Sequence, residues 1–209
     1  MAMPTPRDGA GKAPGRHDET VTALISVWRR LYPNPETHQR GDAGARAALR
    51  RAPSPDAVLL EPAFHALLLA MKEGGFDFRS FDNDRYRRLA LVAALLAERR
   101  DGSSGPKRLL QVLGGFDADQ RSLSVLRFQS LMAALDRGLD EEAMTALRRA
   151  LKVAGEATFN IQAFAGDLLG WNERARIKWT FDYFGRPHVA EPSGLDPAPT
   201  HMSAEETAR

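Results

Sequence analysis

Apolar residues in this chain recur at three- and four-residue steps, and no segment alternates convincingly with period two. That regularity confines the chain to helices, because a strand buries every second residue and a helix every third or fourth. The clearest instance is Asp117 to Lys152, which reads as a helix, a short acidic turn and a second helix. Val125, Phe128, Met132 and Leu135 share one face of the first helix, with Arg127 at its edge. Met144, Leu147 and Leu151 form the stripe of the second, widened by Ala143, Ala150 and Ala154. No Asn-Gly or Asp-Gly hairpin joins two β-rich runs. The expected fold class is all-α, with two small helical bundle subdomains joined by a short linker.

Punctuation along the chain divides it. Residues 1–17 are rich in Pro, Gly and Ala and are expected to be a disordered tail. An N-terminal helical subdomain should span 18–100, with Asp18 as the first N-cap, helices near 18–31, 41–51 and 84–100, and between them an apolar stretch over 54–72 whose main helix Pro62 opens. Asp101-Gly-Ser-Ser-Gly-Pro106 is the linker candidate. A C-terminal helical subdomain follows over 107–186, with Asn160 as an N-cap and a last helix from about 172 to 184. In that last helix Ile177, Phe181 and Phe184 read as the core face. Trp179 and Tyr183 form a second apolar edge, open to either core packing or base stacking. Residues 187–209 are expected to be a disordered acidic tail, holding Glu191, Asp196, Glu205 and Glu206 against Arg209 alone.

The absence of cysteine excludes disulfides and thiolate metal sites, so packing alone must hold the 209 residues together. No apolar run approaches the ~20 residues of a membrane span, and the first residues lack the apolar core of a signal peptide. A cytoplasmic protein without membrane contact is expected. Five histidines, at 17, 38, 65, 188 and 201, show no metal-ligand spacing with one another or with carboxylates. Phosphate-cradling glycine loops and nucleophile elbows are missing too. The expectation is a protein that is not an enzyme and uses no cofactor or metal.

Charge is the more informative feature. The formal net charge is +2, but the acidic tail carries −3 of it, so the rest of the chain carries +5. Arg148, Arg149 and Lys152 fall on one flank of the second helix, and Arg148 and Lys152, four apart, repel each other. A solvated basic face, a carboxylate elsewhere in the fold, or an external anion would each account for that flank. The alanine-rich stretch 41–51 places Arg46, Arg50 and Arg51 on a helix with little to bury, either a weakly packed connector or a segment near something acidic. The last helix carries Arg174, Arg176 and Lys178.

Five stretches together are similar to one family. They are Gly44-Ala-Arg-Ala-Ala-Leu-Arg-Arg-Ala52, Arg127-Phe-Gln129, Leu147-Arg-Arg-Ala-Leu-Lys152, Asp167-Leu-Leu-Gly-Trp171 and Trp179-Thr-Phe-Asp-Tyr-Phe184. In this order, and with Trp28 in the first helix, the chain resembles the small, CasB-type subunit of Cascade, the type I-E CRISPR surveillance complex. The resemblance covers about residues 18 to 185. It implies an all-helical, two-part, non-enzymatic protein, present as two copies in the assembled complex. Its implied partners are guide RNA, target DNA, the backbone and large subunits, and a second copy of itself. Nucleic-acid binding without sequence preference, helping to hold the opened duplex, is the implied role. The matching basic positions are Arg46, Arg50, Arg51, Arg121, Arg127, Arg148, Arg149 and Lys152. Two other readings stand beside it: a helical DNA-binding transcription regulator, and a protein-only scaffold whose basic flank meets acidic partners.

Overall fold

A computed structural model describes residues 16–185, apart from 35, 37, 39, 100–103 and 116. Residues 1–15 of the expected N-terminal tail, the whole expected C-terminal tail and the first half of the linker therefore lie outside the described residues. The chain forms helices α1 (Arg16–Trp28), α2 (Ala43–Arg51), α3 (Pro55–Leu59), α4 (Pro62–Glu73) and α5 (Asn83–Leu96), then α6 (Leu109–Leu113), α7 (Val125–Arg137), α8 (Glu141–Ala154), α9 (Ile161–Leu169) and α10 (Glu173–Phe184). Short 3-10 turns occur at Arg29–Leu31 and Ala118–Gln120, and no strand is found among the described residues. The all-α expectation holds.

Most of the helices start where a side chain can accept a hydrogen bond from an amide that the helix leaves free. The Ala45 amide donates to Asp42, Ala57 to Ser54, Arg85 to Asp82, Ala163 to Asn160 and Ala175 to Asn172. Asp140 accepts from both Glu142 and Ala143 at the start of α8, and Ser124 accepts from Arg127 at the start of α7. Each such cap contributes about 1 kcal/mol. Pro55 and Pro62 open α3 and α4, where their missing amide costs nothing. α1 begins at Arg16, two residues ahead of the expected cap, so Asp18 and Glu19 lie inside its first turn.

α5 is the centre of the fold. Leu89 to Leu96 are buried on every side, and the helix packs against α1, α2, α3, α8 and α9. Ala90, Ala93 and Ala94 keep the helix slim, so neighbours approach its backbone closely. The arginines at its start have answers: Arg87 pairs with Asp56 at 2.8 Å, Arg88 with Asp84 at 3.5 Å, and Arg85 donates to the Ser80 carbonyl at 2.7 Å. Because α9 lies on α1 and α5, one buried cluster continues from the N-terminal helices into the C-terminal ones.

Two glycines permit close backbone contacts. At Gly114 a Cβ would fall well inside contact distance of the Tyr183 carbonyl, and the next amide, Gly115, donates to that carbonyl at 2.9 Å. This seats the end of α6 on the end of α10. Gly41, at φ +71, lies so near the Tyr32–Pro33 backbone that a Cβ would come within 2.6 Å of it. That holds the start of α2 against the turn after α1, where Asp42 donates to the Leu31 carbonyl.

The inner face of α10 differs from expectation. Ala175, Trp179 and Tyr183 are buried, while Ile177 is 41% exposed and Phe181 and Phe184 are only half-buried. Trp179 and Tyr183 can go inside because their polar atoms find partners there. The indole N–H donates to Asp167 at 2.6 Å, and the Tyr183 hydroxyl donates to the Leu123 carbonyl at 2.6 Å. Tyr183 also stacks on Phe128 of α7 with ring centres 4.0 Å apart. The aromatic pair is core, so it offers no stacking platform.

Candidate nucleic-acid interface

α7 and α8 pack side by side as the two arms of a helical hairpin, and a groove runs between them. The buried side chains of Leu123, Leu131 and Ala150, with half-buried Ala146 and Val153, form its floor. Arg127 from α7 and Arg149 and Lys152 from α8 stand exposed along its rim, together with Ser130. None of these three cations has an ion-pair or side-chain hydrogen-bond partner among the described residues. Arg127 also occupies the first turn of α7, where the helix dipole disfavours a cation. Like charges gathered this way raise the energy of the free surface, and an anion in the groove lowers it.

Arg148 does not belong to that rim. Its Nε stands 2.9 Å from Glu98 Oε1, and its Nη2 donates to the Arg50 carbonyl at 2.8 Å. Only 17% of each side chain in the pair is exposed, and burial lowers the Arg148 pKa despite the attraction of Glu98. The flank read from the sequence as poorly answered is therefore split. Arg148 turns inward to tie α8 to the end of α5 and to α2, while Arg149 and Lys152 face out. The tie also places Arg50 at the α8 flank. The side chains of Arg50 and Arg51 are exposed and have no partner among the described residues.

The remaining sequence candidates sit elsewhere. Arg46 lies over the Tyr32 ring, 4.8 Å from its centre. Arg121 donates to the Gly115 carbonyl and covers the Tyr183 and Phe184 rings, and burial raises the Tyr183 pKa against its attraction. On α10, Arg176 pairs with Asp136 at 3.0 Å and Lys178 with Asp167 at 3.8 Å, whereas Arg174 is exposed without a partner among the described residues.

Sequence reasoning missed the cluster around Arg108. Its guanidinium bonds Asp167 of α9 and, at 2.6 Å, Asp182 of α10, and Gln111 donates to Asp182 at 2.9 Å. Burial raises the Asp182 pKa, with Arg108 opposing the shift. The signal was present: Asp167 and Asp182 are single carboxylates within apolar runs, and such a residue on a buried face requires a cation. Leu126, 73% exposed beside Arg127, was likewise not singled out. Among the described residues no group of His, Asp and Glu could hold a metal, and no helix is long and apolar enough to cross a membrane.

Comparison with known proteins agrees with this architecture. Among curated proteins none matches the chain. A chain in the crystal structure of E. coli Cascade bound to a PAM-containing dsDNA target superposes with a TM-score of 0.55 at 25% identity, covering 78% of this chain and 92% of the other. The family model for CRISPR-associated protein Cse2 matches residues 45–184, most of the described helices. The chain belongs to the Cse2 family, that of the small subunit of type I-E Cascade.

Proposed function

We propose that this chain is a non-catalytic nucleic-acid-binding subunit of a type I-E Cascade complex, which grips guide RNA or target DNA by the backbone and stabilises the R-loop in antiviral defence. The observation that carries this is the convergence of Arg127, Arg149 and Lys152, all unpaired among the described residues, on one groove. Guanidinium and ammonium groups neutralise phosphates and release counterions. The groove lining contains no asparagine or glutamine to read an adenine edge, and its cations can neutralise backbone phosphates of any sequence. Strand exchange during R-loop formation is nearly balanced, so a few phosphate contacts are enough to tip it. The superposable chain's own complex is bound to a dsDNA target, which supports the same class of ligand here.

In this reading the partners are guide RNA, target DNA, the other Cascade subunits and a second copy of the chain, in the cytoplasm. The chain contributes no chemistry, and the purified protein should show no nuclease, ATPase or transferase activity with or without magnesium. Metal-dependent turnover abolished by one Asp, Glu or His substitution would contradict that. The scaffold reading draws support from exposed Leu126, an apolar contact suited to protein, and expects little nucleic-acid affinity in the isolated chain. The direct test reassembles the complex with the Arg127→Ala, Arg149→Ala, Lys152→Ala variant. Assembly should persist while R-loops on a linear target become less stable. R-loops of unchanged stability would exclude the groove.

A further inference from the structure

We propose that the acidic C-terminal segment of this chain, residues 187–209, docks in the α7–α8 groove and competes there with nucleic acid. The competition rests on the function proposed above, whereas the docking stands on geometry and charge alone.

The chain leaves the described fold beside the groove. α10 ends at Phe184, and Gly185 caps it at φ +67 with its amide on the Phe181 carbonyl. The Tyr183 hydroxyl is bonded to the carbonyl of Leu123, a residue of the groove itself, at 2.6 Å. Phe184 meets Phe128, the neighbour of Arg127, with ring centres 5.9 Å apart. The chain thus leaves the described fold about one aromatic side chain away from the groove. Twenty-four residues follow Gly185. As a flexible coil such a segment spans roughly 27 Å, and fully extended about 80 Å, more than the distance requires.

The segment and the groove are chemically complementary. The groove offers an apolar floor edged by cations that nothing among the described residues answers. The segment offers carboxylates, each close to an apolar side chain: Val189 near Glu191, Leu195 beside Asp196, and Met202 ahead of Glu205 and Glu206. A chain that alternates acidic and apolar groups fits a groove built the opposite way. Tethering then supplies affinity that the few contacts lack. A short flexible tether gives an effective concentration on the order of millimolar, so a millimolar contact occupies the groove for much of the time. Nucleic-acid affinity falls by the same competition, by about twofold at low salt.

The chain contains no cysteine, so Ala204→Cys gives one site for a spin label in the full-length protein. Paramagnetic broadening should concentrate on the amides of Arg127, Ser130, Arg149 and Lys152 and disappear at high salt. It should also disappear in the variant Glu191→Gln, Asp196→Asn, Glu205→Gln, Glu206→Gln. A random single-stranded oligonucleotide should relieve it, and the neutralised variant should bind that oligonucleotide about twofold more tightly at low salt. Broadening at the groove in a protein that binds no oligonucleotide would support docking while removing the nucleic-acid function. Groove amides that keep full intensity, or broadening spread over other basic surfaces such as Arg174, would overturn the docking.

Discussion

Replacing Arg148 with alanine should destabilise the fold by about 2 kcal/mol, while the same change at Arg149 should stay within about 0.5 kcal/mol. The two residues are adjacent and carry equal charge, but only Arg148 is committed within the fold. Its truncation leaves the Glu98 carboxylate, 17% exposed, without its cation. Orphaning one member of a fully buried pair costs about 3–5 kcal/mol, and breaking an exposed pair less than about 1. A largely buried pair near the surface falls between these limits. The Arg50 carbonyl lies close to solvent and adds little. At about 2–4 °C per kcal/mol for a chain of this size, the melting temperature should drop by roughly 4–8 °C. Burial outweighs the attraction of Glu98 in setting the Arg148 pKa, so the pair itself contributes little and the cost arises from the abandoned carboxylate. An Arg148→Met, Glu98→Leu double variant should therefore recover most of the loss. Thermal or urea unfolding of the four proteins decides the matter. Equal midpoints for Arg148→Ala and Arg149→Ala, or a double variant no better than the single one, would refute the reasoning.

Other outcomes follow from close contacts and buried charge. Gly114→Ala should cost more than about 3 kcal/mol, because its Cβ would force α6 away from the Tyr183 carbonyl; an unshifted unfolding midpoint would count against that contact. Arg108→Ala should cost about 3 kcal/mol by removing the guanidinium that Asp167 and Asp182 share, which leaves Asp167 with distant Lys178 and the Trp179 indole and Asp182 with Gln111 alone, and Arg108→Lys should recover only part of it because an ammonium lacks the fork. Burial already raises the Asp182 pKa above its unfolded value and Arg108 opposes this, so the variant raises it further. The folded variant then holds a proton that the unfolded chain lacks, and its stability deficit should narrow as pH falls towards the carboxylate range. A deficit that widens with acid would oppose this assignment.

The helices were legible where local chemistry decides them. α8 has one apolar stripe, an acidic first turn and an aspartate cap, and every residue of its expected stripe is buried. α10 was harder because apolar side chains surround it. Its inner face is chosen by Asp167 and the Leu123 carbonyl, which satisfy Trp179 and Tyr183 from other elements. No pattern within the helix encodes those partners. The centrality of α5 was only partly visible: its apolar run announces burial, but not which five helices surround it. At the candidate site, Arg127, Arg149 and Lys152 could be grouped from sequence because one hairpin presents them. The different fates of Arg148 and Arg149 could not, since Glu98 lies fifty residues away along the chain. Arg176 and Lys178 look as free as Arg174 in the sequence, yet Asp136 and Asp167 meet them in space.

The central claim, that the groove cations bind phosphates, is tested most directly by salt titration of binding to random single-stranded DNA. Each phosphate contact contributes about 0.7 to the slope of log K against log salt for single strands. The full-length protein should weaken steeply as salt rises. The Arg127→Ala, Arg149→Ala, Lys152→Ala variant, folded as judged by its melting temperature, should show a slope flatter by roughly 2, with the same loss for every sequence tested. A slope identical to that of the parent would contradict the account and move the contact to other exposed cations, beginning with Arg50 and Arg51.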